Sequence, residues 1–192
     1  NSLLSNRRWD FLGLLVISAL FWWIFEFFNL SAKNWSYQNI AVSTTLANFY
    51  GSLAFSTVLP TFFETIELIR SIHLFDKFKL HKKHKITKTF LHIMIAVGFI
   101  SFALVIFLPR YFYPLIWITF FFLLDPINYM HKQPSIIKHL KDRKLAIPLS
   151  LLLSGIILGF FWEFWNYWAV PKWTYDIPFI GFFKIFEMPV LG

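Results

Sequence analysis

Apolar residues along this chain fall in long runs, at about 10–30, 45–69, 89–108, 115–130 and 147–168, with the polar residues gathered in the gaps between them. Four or five of these runs approach the roughly 20 residues that an α-helix needs to cross about 30 Å of hydrocarbon. The alternating polarity of membrane barrel strands is absent, so the pattern predicts an all-α, polytopic transmembrane bundle, a single membrane domain over 1–192. Pro60 removes a backbone donor inside the second run and should bend that helix. Pro109-Arg110-Tyr111-Phe112-Tyr113-Pro114 is a short turn, which makes the third and fourth spans antiparallel neighbours. A last apolar stretch, 182–192, holds only 11 residues, about half a span. It reads either as a re-entrant end or, with no initiator Met at position 1, as part of a sixth helix in a fragment of a longer protein.

Composition strengthens the membrane reading. With 57% hydrophobic residues, 26 Phe and 9 Trp in 192 positions, too little polar residue remains to cover a soluble domain. No cysteine is present, which excludes disulfides, thiolate zinc sites, iron–sulfur clusters and c-type haem attachment. The basic surplus, 18 Lys and Arg against 10 acids, is a matter of topology and not of nucleic acid. Threading the spans alternately puts 14 of the 18 on one side: two in the N-terminal segment, seven in 70–88 and five in 131–146. By the positive-inside rule that side is the cytoplasm, so the N-terminus is cytoplasmic in an inner-membrane, multi-pass protein. Arg7-Arg8 leads into a run too long for a signal peptide, which is read as a retained helix.

Candidate chemistry sits where carboxyls interrupt aromatic runs. The stretch Phe160 to Tyr175 carries Glu163 and Asn166 at the end of the fifth span, then Trp173 and Tyr175. Near the N-terminus Glu26 and Asn29 are followed by Trp35 and Tyr37. The shared pattern is Glu-x-x-Asn, five or six residues, then Trp-x-Tyr. Three-residue spacing on a helix points each Glu–Asn pair from one face, and Asn can donate to or accept from a carboxyl in either protonation state. A charged carboxyl in hydrocarbon costs several kcal/mol, so it turns inward to a partner or stays protonated. The plainer reading is that these pairs knit helix ends together, and that Trp and Tyr gather at membrane interfaces whatever the function. That reading does not account for the recurrence. Spans one and five run in the same direction, so the recurrence predicts a parallel internal repeat with both copies around one outward-facing cavity. Glu187, in Lys184-Ile185-Phe186-Glu187-Met188-Pro189, would enter from the following segment. Asp125-Pro126-Ile127-Asn128 repeats the acid-x-x-Asn spacing, and Glu64 and Glu67 share one helix face; neither pair has an assigned role.

An acid near a helix end, then Trp-x-Tyr, then an acid close to a Pro, resembles the small membrane-embedded lycopene cyclases and related carotenoid hydratases. The resemblance covers 22–37 and 162–189. It implies an all-helical enzyme that acts on a long isoprenoid by proton-initiated chemistry, without redox and without a cofactor. Glu163 would be the acid, with Glu26 and Glu187 next, and Asn29, Trp35, Tyr37, Asn166, Trp173 and Tyr175 would line the ligand. The Pro-x-Glu-Glu element of those cyclases is met here only by Glu187-Met188-Pro189, in reversed order, and by Glu64-Thr65-Ile66-Glu67 after Pro60. The phrases Trp162-Glu163-Phe164-Trp165-Asn166 and Phe186-Glu187-Met188-Pro189 are also similar to an uncharacterised family of bacterial inner-membrane proteins. The chemistry suits the setting, since a desolvated carboxylic acid can protonate a polyene and aromatic faces can stabilise the cation.

Three alternatives stand beside the enzyme. The first is a non-catalytic membrane subunit that binds lipid, quinone or pigment, or anchors a larger complex with other membrane subunits. The second is a transporter using the acids as an ion path, for which few helices are present. The third is histidine metal chemistry: His81 and His84, with His73 and His92 nearby, faintly echo desaturase histidine boxes, which need about eight histidines where this chain has six. A solvated basic loop lying against anionic headgroups is the preferred reading, and no metal is expected. No phosphate-binding glycine loop or nucleophile elbow is present.

Overall fold

The computed structural model describes residues 2–83 and 85–191 and is mostly helical. Four of its helical segments are long and apolar enough to cross a membrane, and a fifth apolar helix is shorter. Their outward faces are apolar, with Trp9 84%, Phe107 78% and Trp168 70% exposed, as suits a chain whose solvent is lipid. The chain divides into two compact units, residues 1–68 with 154–192, and residues 69–153.

In the first unit a short helix α1 (Leu3–Asn6), capped by the Ser2 hydroxyl, leads into α2 (Arg8–Ala32). At 1.5 Å per residue α2 is about 37 Å long, enough to span with some tilt. The α1 segment is tied down by Glu64, whose Oε1 accepts from Ser2 Oγ and from the Leu4 amide, both at 3.1 Å. Lys33, in the left-handed region at φ 53°, ends α2 by donating its amide to the Asn29 carbonyl, and strand β1 (Trp35–Gln38) follows at once.

The second predicted span is two helices, α3 (Thr44–Ser56) and α4 (Val58–Ser71). The interruption lies at Thr57, three residues before Pro60, because a proline frees the carbonyl one turn upstream of itself. Ser18 of α2, 1% exposed, inserts there: its hydroxyl donates to the Phe55 carbonyl at 2.5 Å and accepts from the Leu59 amide at 3.0 Å. One hydroxyl thus occupies the polar groups that the break would leave facing hydrocarbon.

The second unit is built on α5 (Lys88–Phe107), capped by Thr87, a single turn α6 (Pro109–Phe112), and α7 (Leu115–Met130). As predicted, α5 and α7 are packed neighbours. Gly98 lets them close up, since a Cβ there would lie 2.7 Å from the Leu123 side chain and 3.1 Å from its amide nitrogen. With 16 residues α7 is shorter than a full span. Asp125 then does structural work, as its two carboxylate oxygens accept from the amides of Ile136 and Ile137 at 2.7 and 2.9 Å. These are the first amides of α8 (Ile136–Lys141), also capped by Ser135, so the third acid-x-x-Asn element is a helix cap. Leu91, Met94 and Ile137 form a small core beside Ile86, Phe122 and Tyr129. The two basic loops are joined: Leu80 N donates to Arg143 O, Leu145 N to Phe78 O, and Arg143 Nε to Leu80 O.

The last long helix, α9 (Ala146–Trp168), is followed by strand β2 (Lys172–Tyr175), which pairs with β1. The stretch predicted as a partial sixth span is not helical where described. It forms a two-stranded hairpin, β3 (Lys184–Ile185) with β4 (Met188–Pro189), and Phe186 at its turn has φ 57°. Pro178 and Pro189 flank too few residues to nucleate a stable helix, and Phe186 packs on Phe160, Phe164 and Tyr167 of α9.

Candidate functional site: two carboxyl–aromatic clusters joined by a strand pair

Each Glu-x-x-Asn element organises the loop that follows its helix. In the first copy, Asn29 Nδ2 donates to the Trp35 carbonyl at 2.8 Å, while Asn29 Oδ1 accepts from the amides of Asn34 and Trp35 at 2.8 and 3.2 Å. In the second, Asn166 Nδ2 donates to the Trp173 carbonyl and Asn166 Oδ1 accepts from the Trp173 amide, both at 2.8 Å. A side-chain amide carries a donor and an acceptor with the spacing of a peptide group, so it can pair with a strand as a neighbouring strand would. The helix end therefore sets where the Trp-x-Tyr segment docks.

With the strand held, residues of like parity share one face. Trp35 and Tyr37 direct Nε1 and the phenol hydroxyl to Glu26 Oε1, at 3.1 and 2.6 Å. Trp173 and Tyr175 do the same to Glu163 Oε1, at 3.3 and 2.6 Å, and Trp173 Nε1 also donates to the Tyr175 oxygen at 2.8 Å. The strands pair antiparallel in the register Trp35 with Tyr175, Ser36 with Thr174, Tyr37 with Trp173 and Gln38 with Lys172. Like residues are thereby equidistant from the central Ser36–Thr174 pair, whose hydroxyls lie 3.4 Å apart. All four aromatic residues occupy one face of the ribbon, against the two carboxyls, and Ser36, Gln38, Lys172 and Thr174 occupy the other.

The two halves differ in burial and charge. Glu163 is 9% and Asn166 2% exposed, whereas Glu26 and Asn29 are half-buried. Glu163 Oε2 is buried and has no hydrogen-bond partner among the described residues. Loss of water, and then the hydrogen bond to Glu26, pushes the Tyr37 phenol above its ordinary range; Tyr175 is raised in the same way by burial and by Glu163. Both phenols thus stay protonated as donors across physiological pH.

Eight of the nine predicted site residues are brought together in these clusters. Glu187 stands apart from both in its bonding: at the hairpin turn, its Oε1 accepts from Lys172 Nζ at 2.6 Å in a largely buried ion pair. Lys172 also lies 5.3 Å over the Tyr167 ring. Lys172 escaped the sequence reading, and so did Asn34, which is 6% exposed and gives its carbonyl to the Asp176 amide at 2.8 Å. The available signal was positional, since each immediately precedes its Trp-x-Tyr. Among the described residues no three His, Asp or Glu side chains gather as a metal set, and His84 lies outside them. Comparison with protein families, with curated proteins and with solved structures finds no match to this chain.

Proposed function

We propose that this is a multi-pass inner-membrane protein with a cytoplasmic N-terminus, in which α2–β1 and α9–β2 are a parallel internal repeat around one site for a lipophilic ligand. The symmetric register of β1 and β2 supports the repeat, because a two-fold axis passing between Ser36 and Thr174 carries Trp35 to Trp173 and Tyr37 to Tyr175. The bonding of one basic loop to the other supports a common, cytoplasmic side for both. In this reading the Trp-x-Tyr ribbon closes the site from the external side, and the ligand enters laterally from the bilayer.

The reaction we propose is acid-catalysed cyclisation or hydration of an isoprenoid, as the resemblance to membrane lycopene cyclases and carotenoid hydratases implies. The observation that carries it is the state of Glu163. Its Oε1 accepts from Tyr175 and Trp173, and its Oε2 is buried with no hydrogen-bond partner among the described residues; in this reading Oε2 is the atom that carries the proton to the ligand. A proton passed from Oε2 to a terminal double bond leaves a carboxylate and a tertiary cation, which the Trp and Tyr faces stabilise. Attack by a second double bond followed by proton loss gives a ring; capture of water followed by proton loss gives an alcohol. Neither route changes the oxidation level, and neither uses a cofactor. Glu26, the symmetry mate, would accept the departing proton.

The test begins with extraction of the purified protein in organic solvent and identification of what it retains. The expected result is a co-purifying isoprenoid whose double-bond pattern changes with wild type. Glu163→Gln should keep the fold and the ligand and lose at least about 100-fold in turnover, the usual contribution of a general acid. A second reading is favoured by the clusters themselves, since the side chains of Asn29 and Asn166 bond the segments carrying Trp35 and Trp173 to the ends of their helices. A non-catalytic subunit that binds lipid, quinone or pigment, or anchors a membrane complex, would need no more. Bulk phospholipid alone in the extract, with stable association of other subunits, selects it.

A further inference from the structure

We propose that the two basic loops form a binding site for the phosphate headgroup of an anionic phospholipid, centred on Lys83, Lys85 and Lys141. Residues 70–88 and 131–146 together carry twelve Lys and Arg against two acids, Asp76 and Asp142. Asp76 is engaged by His73 Nδ1 at 2.7 Å. Backbone bonds hold these like-charged loops together, with Lys79 directly opposite Lys144 in an isolated bridge. Such an arrangement gathers repulsion that a bound anion would offset.

At this junction Lys83, Lys85, Ile86 and Lys141 line an open surface recess of about 370 Å³, wide enough to admit a headgroup from the side. No carboxylate is among these lining residues. Lys141 is positioned in advance: its Nζ donates to the Tyr129 hydroxyl at 2.9 Å and lies 5.4 Å over that ring. An ammonium has three donors, so two remain for phosphate oxygens. Lys83 and Lys85 are exposed and bring two further charges to the same opening. The fourth wall decides between sources of phosphate. Ile86 packs against the apolar core of Leu91, Met94 and Ile137, and two residues later α5 begins its apolar run. An amphiphile can set its phosphate on the lysines and its glycerol and acyl chains along that wall, whereas a free phosphate gains nothing from it. The site is independent of the Glu163 cluster and of any activity there.

The test uses the full chain in neutral detergent, with thermal unfolding followed during titration by short-chain phosphatidylglycerol, phosphatidylcholine or inorganic phosphate. Phosphatidylglycerol should stabilise, and the other two should not at the same concentration. The K83Q/K85Q/K141Q variant should bind phosphatidylglycerol about 100-fold more weakly, taking about a factor of five per lysine near a membrane surface. K77Q/K79Q/K144Q, which removes equal charge from the same loops away from the recess, should stay within about threefold at 0.15 M salt. Equal weakening in the two variants would mean a diffuse charge effect and overturn the site. Equal binding of phosphatidylcholine overturns the anionic requirement, and equal binding of inorganic phosphate overturns the lipid assignment. Should the triple variant not fold, Tyr129→Phe releases Lys141 with no change in charge. About fivefold weaker binding then supports the site, and unchanged binding rejects it.

Discussion

Asn166→Ala isolates the element that docks the second strand, and its cost can be worked from the hydrogen bonds. The substitution deletes Nδ2 to the Trp173 carbonyl and the Trp173 amide to Oδ1, both 2.8 Å, at a residue only 2% exposed. Interhelical polar contacts in membrane proteins average about 0.6 kcal/mol each, which sets a floor of about 1 kcal/mol for the pair. Left unpaired, the Trp173 amide and carbonyl would instead cost about 1–3 kcal/mol each, up to about 6 kcal/mol for the two, a ceiling that any backbone shift toward another partner lowers. We therefore expect Asn166→Ala to lower stability by about 2–4 kcal/mol, and the half-buried counterpart Asn29→Ala by about half as much. Equilibrium unfolding in mixed detergent micelles, followed by tryptophan fluorescence, measures both. Trp173 loses its bond to Glu163 if the strand undocks, so its emission should also shift before global unfolding. A loss below about 0.5 kcal/mol for Asn166→Ala, with unchanged emission, would refute the claim that this side chain positions the strand.

Two further outcomes follow from contacts of other kinds. Gly98→Ala should destabilise by about 1–3 kcal/mol in the same assay, because the new methyl meets the Leu123 backbone as well as its side chain and cannot be relieved by a rotamer change; a neutral result would mean that α5 and α7 slide apart freely. Tyr37 and Tyr175 have phenols raised above the ordinary value of 10, so the folded state keeps protons there that the unfolded chain loses. Their contribution to stability is complete below about pH 10 and falls as pH rises above it. Ultraviolet titration of wild type against Tyr37→Phe/Tyr175→Phe should find no difference in tyrosinate near pH 10–11, and two more tyrosinates in wild type than in the variant at that pH would contradict the burial of the hydroxyls.

The unequal legibility of the acids has a physical basis. Glu26, Asn29, Glu163 and Asn166 were readable because a polar pair in hydrocarbon is costly and the same pair recurs at nearly the same distance from Trp-x-Tyr. Asp125 and Asn128 share that spacing, yet Asp125 caps a short helix eleven residues on, and nothing local distinguishes a cap from a site. Glu64 likewise finds its partners some sixty residues away, in the N-terminal turn. The hairpin at 184–189 is not legible because a mostly apolar stretch of eleven residues satisfies a hydropathy pattern without being able to form a stable helix.

Membrane class, the approximate span boundaries and the asymmetry of charge follow from the sequence alone. They depend on transfer free energy, which sums along the chain whatever its neighbours are. The interruption at Thr57, sealed by Ser18, and the symmetric register of the aromatic ribbon needed tertiary structure, as did the direction of each Glu oxygen and the joining of the basic loops. These depend on which donor meets which acceptor across tens of residues. In a low-dielectric setting an unmet partner is expensive enough that the long-range match, and not local preference, selects the conformation.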